Sequence, residues 1–192
     1  MNVIRSPRWI AAAGMAAMCL VAGASPARGQ GFYELGAGWN FVASPPASSP
    51  NKYTSGFELR GSIGQVLAPR VRLRFDADAM FFRLREPTAV PCPSVGCPHP
   101  FYTDYTRGVV GLTANGLFSL DPRGIVYVIG GAGVYDANVY DNSLHVGASA
   151  GAGLAIPIGP RYRAVVEAAW HGLAPAGAGP RWLAPVTVGL RF

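Results

Sequence analysis

Residues Val71–Met80 read VRLRFDADAM, with Val71, Leu73, Phe75, Ala77 and Ala79 at one parity and Arg72, Arg74, Asp76 and Asp78 at the other. Side chains of a β-strand point alternately to opposite faces, so this period of two predicts a strand between two unlike media, one dry and one ionic. The stretch alone does not say which face is inside, because a soluble barrel with an apolar core and a membrane barrel with a polar core alternate identically. The rest of the chain has to decide.

The chain begins MNVIRSPRWIAAAGMAAMCLVAGASPARGQ: two arginines, an apolar run from Trp9 to Ala24, then small residues and a polar exit. That is the order of a cleaved secretory signal peptide, expected over residues 1–30, and the run falls short of the roughly 20 apolar residues of a spanning helix. Cys19 lies within the run and is read as part of the leader. Without residues 1–30, and so without Arg5, Arg8 and Arg28, the formal charge falls from +6 to +3. Lys and Arg do not cluster with stacking aromatics, so nucleic acid is not an expected partner. About 160 residues remain, residues 31–192, enough for one domain. The whole chain holds 25 Gly and 17 Pro, half of its residues are apolar, and Lys52 is the single lysine. No apolar run after Ala24 is long enough to cross a membrane as a helix. Apolarity without long runs points to strands.

Alternation bounded by turn residues predicts eight strands, over 31–43, 55–66, 70–83, 103–119, 125–137, 142–157, 161–172 and 182–192. The connections alternate in length. Those at Pro69-Arg70, Asp121–Gly124 (DPRG) and Ile158–Arg161 (IGPR) are tight, while those after strands one, three, five and seven are mostly longer. Alternating short and long connections are the order of an up-and-down barrel whose ends face different compartments, as in outer-membrane barrels with short periplasmic turns and longer outer loops. The fold expected is all-β, an eight-stranded antiparallel up-and-down transmembrane barrel.

The two faces differ in bulk. One carries Tyr33, Leu35, Trp39, Phe41, Phe57, Leu59, Ile63, Phe75, Phe81, Val110, Leu112 and Phe118, and continues with Ile125, Tyr127, Ile129 and Tyr135 in strand five, then Val146, Leu154, Ile156, Tyr162, Val166, Trp170, Val186, Val188, Leu190 and Phe192. The other is rich in Gly, Ala and Ser, with Gly130 and Ala132 assigned to it in strand five, and carries the charges. An eight-stranded barrel has an interior just wide enough for side chains to fill, so the bulky face is expected outside, against lipid. The lumen is then expected to hold an ionic network of Arg60, Arg72, Arg74, Arg107, Arg163 and Arg191 with Glu34, Glu58, Asp76, Asp78 and Glu167, near balance because an unpaired buried charge costs several kcal/mol.

Cys92 and Cys97, in PCPSVGCPHP, are expected to form a disulfide in an exported chain. A metal site using the nearby His99 would be incomplete. GGAG (130–133) and GASAGAGL (147–154) are followed neither by Lys-Ser/Thr nor by a helix, so no phosphate loop and no cofactor is expected. His145, His171, Glu167 and Ser149 share the predicted lumen face. His145 and Ser149 lie about 13 Å apart along one strand, too far to pair as base and nucleophile, and no catalytic set is expected.

WLAPVTVGLRF at residues 182–192, IVYVIGGAGVYDA at 125–137 and HVGASAGAGLAIPIGPRYRAVVEAAWHG at 145–172 resemble the outer-membrane β-barrel domain family, the small barrels related to the OmpA and OmpW transmembrane domains. The resemblance covers essentially the whole chain after the leader. It implies a bacterial outer-membrane location, Phe192 as the terminal aromatic read by the barrel-assembly machinery, and a narrow solute pore or lipid A modification as alternatives to a structural or surface role. Arg83 and Arg85, with Glu86, are expected at a solvated outer rim, with contact to lipopolysaccharide phosphates as the alternative. A monomer is expected, with loops 44–54 and 84–102 as partner surfaces.

Overall fold

The DPRG turn shows how local sequence starts this fold. Asp121 accepts hydrogen bonds from the backbone N–H of Arg123 (2.9 Å) and Val126 (2.7 Å) on its two carboxylate oxygens. Pro122 supplies the fixed φ wanted at the second turn position, and the Gly124 N–H closes the turn on the Asp121 carbonyl at 3.1 Å. Gly124 has φ of 67°, a left-handed conformation costly for residues with a Cβ. The chain therefore reverses within a few residues, and the strands on either side pair directly.

The computed structural model describes residues 31–43, 52–88, 101–137, 144–174 and 182–192. The expected leader, the Cys92/Cys97 pair and His99 lie outside the described residues. The strands are β1 (Gly31–Ala43), β2 (Lys52–Ala68), β3 (Val71–Thr88), β4 (Phe101–Ser119), β5 (Val126–Ala137), β6 (Leu144–Pro157), β7 (Arg163–Leu173) and β8 (Trp182–Arg191). Each pairs antiparallel with its sequence neighbours, and β1 pairs with β8, so the sheet closes into a barrel of eight strands without an edge. Backbone hydrogen bonds in both directions between Tyr33 and Phe192, at 2.8 and 2.9 Å, fasten the seam at the turn end.

Two expectations need correction. β3 and β4 run further than alternation indicated: their ladder continues to Thr88↔Phe101, through part of the stretch read as loop 84–102. An Arg85–Asp104 ion pair of 3.0 Å, at directly opposed positions, spans this extension. β2 likewise starts at Lys52, inside the stretch read as loop 44–54.

The second correction concerns β5, whose faces are reversed. Tyr127, Ile129 and Tyr135 are buried in the lumen, while Val126, Val128 and Val134 face outward with Gly130 and Ala132. Bulk had been assigned to the outside strand by strand, but packing acts across strands. Gly111 and Gly147 leave no side chain where the Tyr135 ring lies, and Gly153 leaves the same space for Tyr127; a Cβ at any of the three would collide with a ring. Aromatic rings laid over glycines on neighbouring strands fill a lumen that glycines alone would leave hollow.

The lumen is layered. Towards the loop end, Met80, Phe82, Val109, Tyr135, Leu173 and Leu183 pack together. Towards the turns, Leu117, Tyr127, Ile129, Ala155 and Val165 form a second cluster. The charged side chains pack along with these clusters.

Candidate functional site

The stretch that opened the sequence reading supplies the centre of the site. Arg74 is 1% exposed. Its Nε lies 2.8 Å from Asp76 Oδ1, and its Nη1 and Nη2 grip Glu167 on β7 in a fork, at 2.5 and 3.0 Å. Nη1 also donates to Glu34 on β1 at 3.1 Å. One guanidinium thereby ties three strands across the lumen, which its planar fork of donors suits better than an ammonium would.

Around Arg74 the other charges fall into place. Arg60 on β2 reaches Glu34 at 3.1 Å and Glu167 at 2.6 Å. Arg191 on β8 donates Nε and Nη2 to Glu34 Oε2 at 2.9 and 2.8 Å, and its guanidinium lies 4.7 Å from the centre of the Phe32 ring. Tyr127 on β5 donates its hydroxyl to Glu167. Asn115 on β4 donates to Asp76 at 2.7 Å and accepts from Ser149 on β6 at 2.5 Å. Arg60, Arg74 and Arg191 thus face Glu34, Asp76 and Glu167, and the connected network takes a side chain from every strand. Charges withdrawn from water need this density of partners to offset desolvation.

The remaining predicted lumen residues also point inward, and Asp78 lies directly opposite Arg60 on the neighbouring strand. Glu58 and Asp78 are buried, and their carboxylate oxygens meet no protein donor among the described residues. Arg72 and Arg163 lie half-buried at the turn end, and Arg107 lies half-buried on β4 towards the loops. Tyr127 was missed as a network member because strand five was assigned to the wrong face. Its signal in the sequence is the glycine directly opposite, Gly153, on β6.

Ser149 and His171 occupy directly opposed positions on β6 and β7. The Ser149 hydroxyl is donated to Asn115, and His171 Nδ1 is 2.8 Å from the Tyr135 hydroxyl. Both residues are buried in the lumen. Among the described residues no group of three or more His, Cys, Asp or Glu is arranged to hold a metal.

The exterior is the inverse of the interior. Leu35, Leu59, Leu112, Val146, Leu154 and Val188 are exposed on the outer wall. Register places Trp39, Phe57 and Phe81 in one row across β1, β2 and β3 near the loops, and Trp170 stacks on Trp182 at 4.3 Å. Near the turns, Tyr33 stacks with Phe192 at 6.0 Å, with exposed Phe118 and Tyr162 at the same end. A charged, filled interior inside a continuous apolar wall with an aromatic girdle at each end suits lipid and not water. The fold is a closed, antiparallel eight-stranded barrel with its apolar face outward.

No family model and no curated protein matches the barrel's sequence. Among solved structures it is similar to Neisserial surface protein A, at 14% identity and a TM-score of 0.48 over 83% of this chain and 95% of that one. It is similar to Ail of Yersinia pestis, at 14% identity and a TM-score of 0.45 over 85% and 100%. It is similar also to the N-terminal barrel domain of Pseudomonas aeruginosa OprF, at 20% identity and a TM-score of 0.43 over 86% and 100%. The likeness is one of barrel architecture.

Proposed function

We propose that this barrel is a monomeric integral protein of a bacterial outer membrane, acting in envelope structure or surface interaction and not in catalysis. The observation that carries the reading is the inversion of polarity across the wall: Arg74, Glu34 and Glu167 buried at the centre, and aromatic girdles exposed at both ends. Residues 1–30, two arginines ahead of an apolar run, serve in this reading as an export leader. The test is fractionation followed by gel mobility of the detergent-extracted protein with and without boiling. Recovery with outer membranes and a heat-dependent mobility shift are expected. Recovery in the soluble periplasm would overturn the reading.

Lipopolysaccharide is the partner proposed for the loop-end rim. There a pocket of about 570 Å³ brings Trp39, Phe57 and Phe81 beside Arg83 and Arg85, an apolar wall with cations at its edge, suited to acyl chains below and phosphates above. Replacing both arginines by glutamine is expected to lower lipid A retention on the purified barrel, and unchanged retention would remove this contact.

One observation favours a second reading, a narrow solute path. The buried side-chain polar atoms of Asn40, Glu58, Ser62, Asp78 and Thr187 have no hydrogen-bond partner among the described residues, and such atoms favour water in the lumen. Against it stand the two apolar clusters and the ionic cluster. The expected bilayer conductance is no greater than that of lipid alone, and discrete openings would replace the structural reading with a channel.

A further inference from the structure

Of the arginines at the turn end, the ionic cluster uses Arg191 and leaves Arg72, Arg123, Arg161 and Arg163 aside. There a cavity of about 650 Å³ opens at the barrel mouth, lined by Arg72, Arg123, Arg161, Arg163 and Arg191, with Phe32, Tyr162 and Phe192 among its apolar walls. Arg163 and Arg191 sit directly opposite each other on β7 and β8, and like charges at facing positions oppose strand pairing. Arg191 is answered by Glu34. Among the described residues Arg163 reaches the backbone carbonyls of Arg123 and Gly124, each at 3.4 Å from Nη1, and no carboxylate. Arg72 keeps a buried Nη1 with no hydrogen-bond partner among the described residues. The turn's own carboxylate, Asp121, has both oxygens occupied by backbone N–H groups.

Two inward guanidiniums with no ion-pair partner among the described residues, over a hollow of this size, are what an anion site requires. We propose that the turn-end mouth binds a phosphate-bearing anion between Arg72 and Arg163, with Arg123 and Arg161 at the entrance. Guanidinium forks match phosphate oxygens in geometry and charge. The volume lies within the range of about 300–1,000 Å³ common for small-molecule sites, leaving room for an organic substituent against Phe32, Tyr162 and Phe192. Gly124 contributes by what it lacks: a Cβ there would strike the Arg72 guanidinium. The phosphate has two possible sources, a soluble anion entering from the aqueous side or the headgroup of an anionic phospholipid in the adjacent leaflet.

Two probes separate these sources. Inorganic pyrophosphate is titrated against the folded barrel in neutral detergent at constant ionic strength, following the midpoint of the heat-induced mobility change. Phosphatidylglycerol retention is read by native mass spectrometry from nanodiscs that also contain phosphatidylcholine. A rise in midpoint with pyrophosphate alone identifies a soluble anion, preferential retention of phosphatidylglycerol alone identifies a headgroup, and both together identify a site open to either. In each case R72Q/R163Q abolishes the effect and R70Q, at an exposed arginine of the β2–β3 turn outside the cavity lining, keeps it. Should R72Q/R163Q not refold, the exposed pair R123Q/R161Q reads the same site and is expected to bind about tenfold more weakly. The proposal is overturned if neither probe binds, if the mouth variants that fold bind as the native chain does, or if R70Q removes the effect as fully as R72Q/R163Q. The pyrophosphate titration is made in detergent, so its failure leaves the outer-membrane reading standing.

Discussion

Arg74 is the residue on which the lumen turns, since it contacts Asp76, Glu167 and Glu34 together. Its replacement by methionine leaves those carboxylates under-compensated in a buried setting, where breaking such a group costs about 3–5 kcal/mol. Equilibrium urea unfolding in lipid vesicles is expected to show a loss of that size for R74M, with only partial recovery in R74K because an ammonium lacks the fork. Gly124→Ala is expected to destabilise by about 1–2 kcal/mol from the left-handed backbone alone, with displacement of Arg72 adding to the loss. At Asp121, the N–H groups of Val126 and Arg123 hold the carboxyl below its ordinary range. A depressed folded-state value means that this contribution is present above the unfolded carboxylate value near 3.9 and is lost as pH falls through the folded one. The acid limb of the heat-stability profile is therefore expected to flatten in D121N, at the cost of lower stability near neutral pH.

At the scale of the element, β3 and β5 mark where the sequence is legible. In β3 charges alternate with apolar residues, so parity alone separates the faces, and Arg72, Arg74, Asp76 and Asp78 do face inward. In β5 the residues of both parities are apolar or glycine: VYVIGGAGVYDA offers no charge before Asp136 to set the phase. The choice passes to Gly111, Gly147 and Gly153 on the neighbouring strands, information absent from β5 itself. The observed phase predicts that tryptophan placed at Val128 is quenched by brominated lipid and that tryptophan at Ile129 is not; the reverse would restore the first assignment. Arginine at Val128 is expected to cost about 2–4 kcal/mol if that position lies near the bilayer midplane. Strand ends were harder to read than strand existence, because the β3–β4 ladder runs on past the residues whose alternation signals a wall.

For the whole molecule, strand number and the tight turns were readable because those hairpins carry their own turn residues, and orientation followed from bulk against the space inside eight strands. The partners within the ionic cluster were not readable. Glu34, Arg60, Arg74 and Glu167 have the right parity, but which carboxylate meets which arginine depends on strand stagger around the closed sheet, which no single strand encodes. Arg72 and Arg163 share that parity and stand apart from the cluster for the same reason. An intact barrel should unfold in one transition by gel mobility and circular dichroism together, and separate transitions for the two probes would indicate that the halves hold independently.

The seam between β1 and β8 sets an order of events as well as a shape. Glu34 and Arg191 are separated by 157 residues in the chain, yet they pair within the wall. Glu34 also receives Arg60 and Arg74, so two of its cations are available once β2 and β3 have formed, while the third arrives only with the last strand. Until then an open sheet would hold a row of half-answered charges along its concave face and two unpaired edges in an oily solvent. Contacts of such long sequence separation form slowly, and this one cannot be made before translation reaches the C-terminal residues. Biogenesis thus favours late, concerted closure, with the nascent sheet sheltered from lipid until its first and last strands meet.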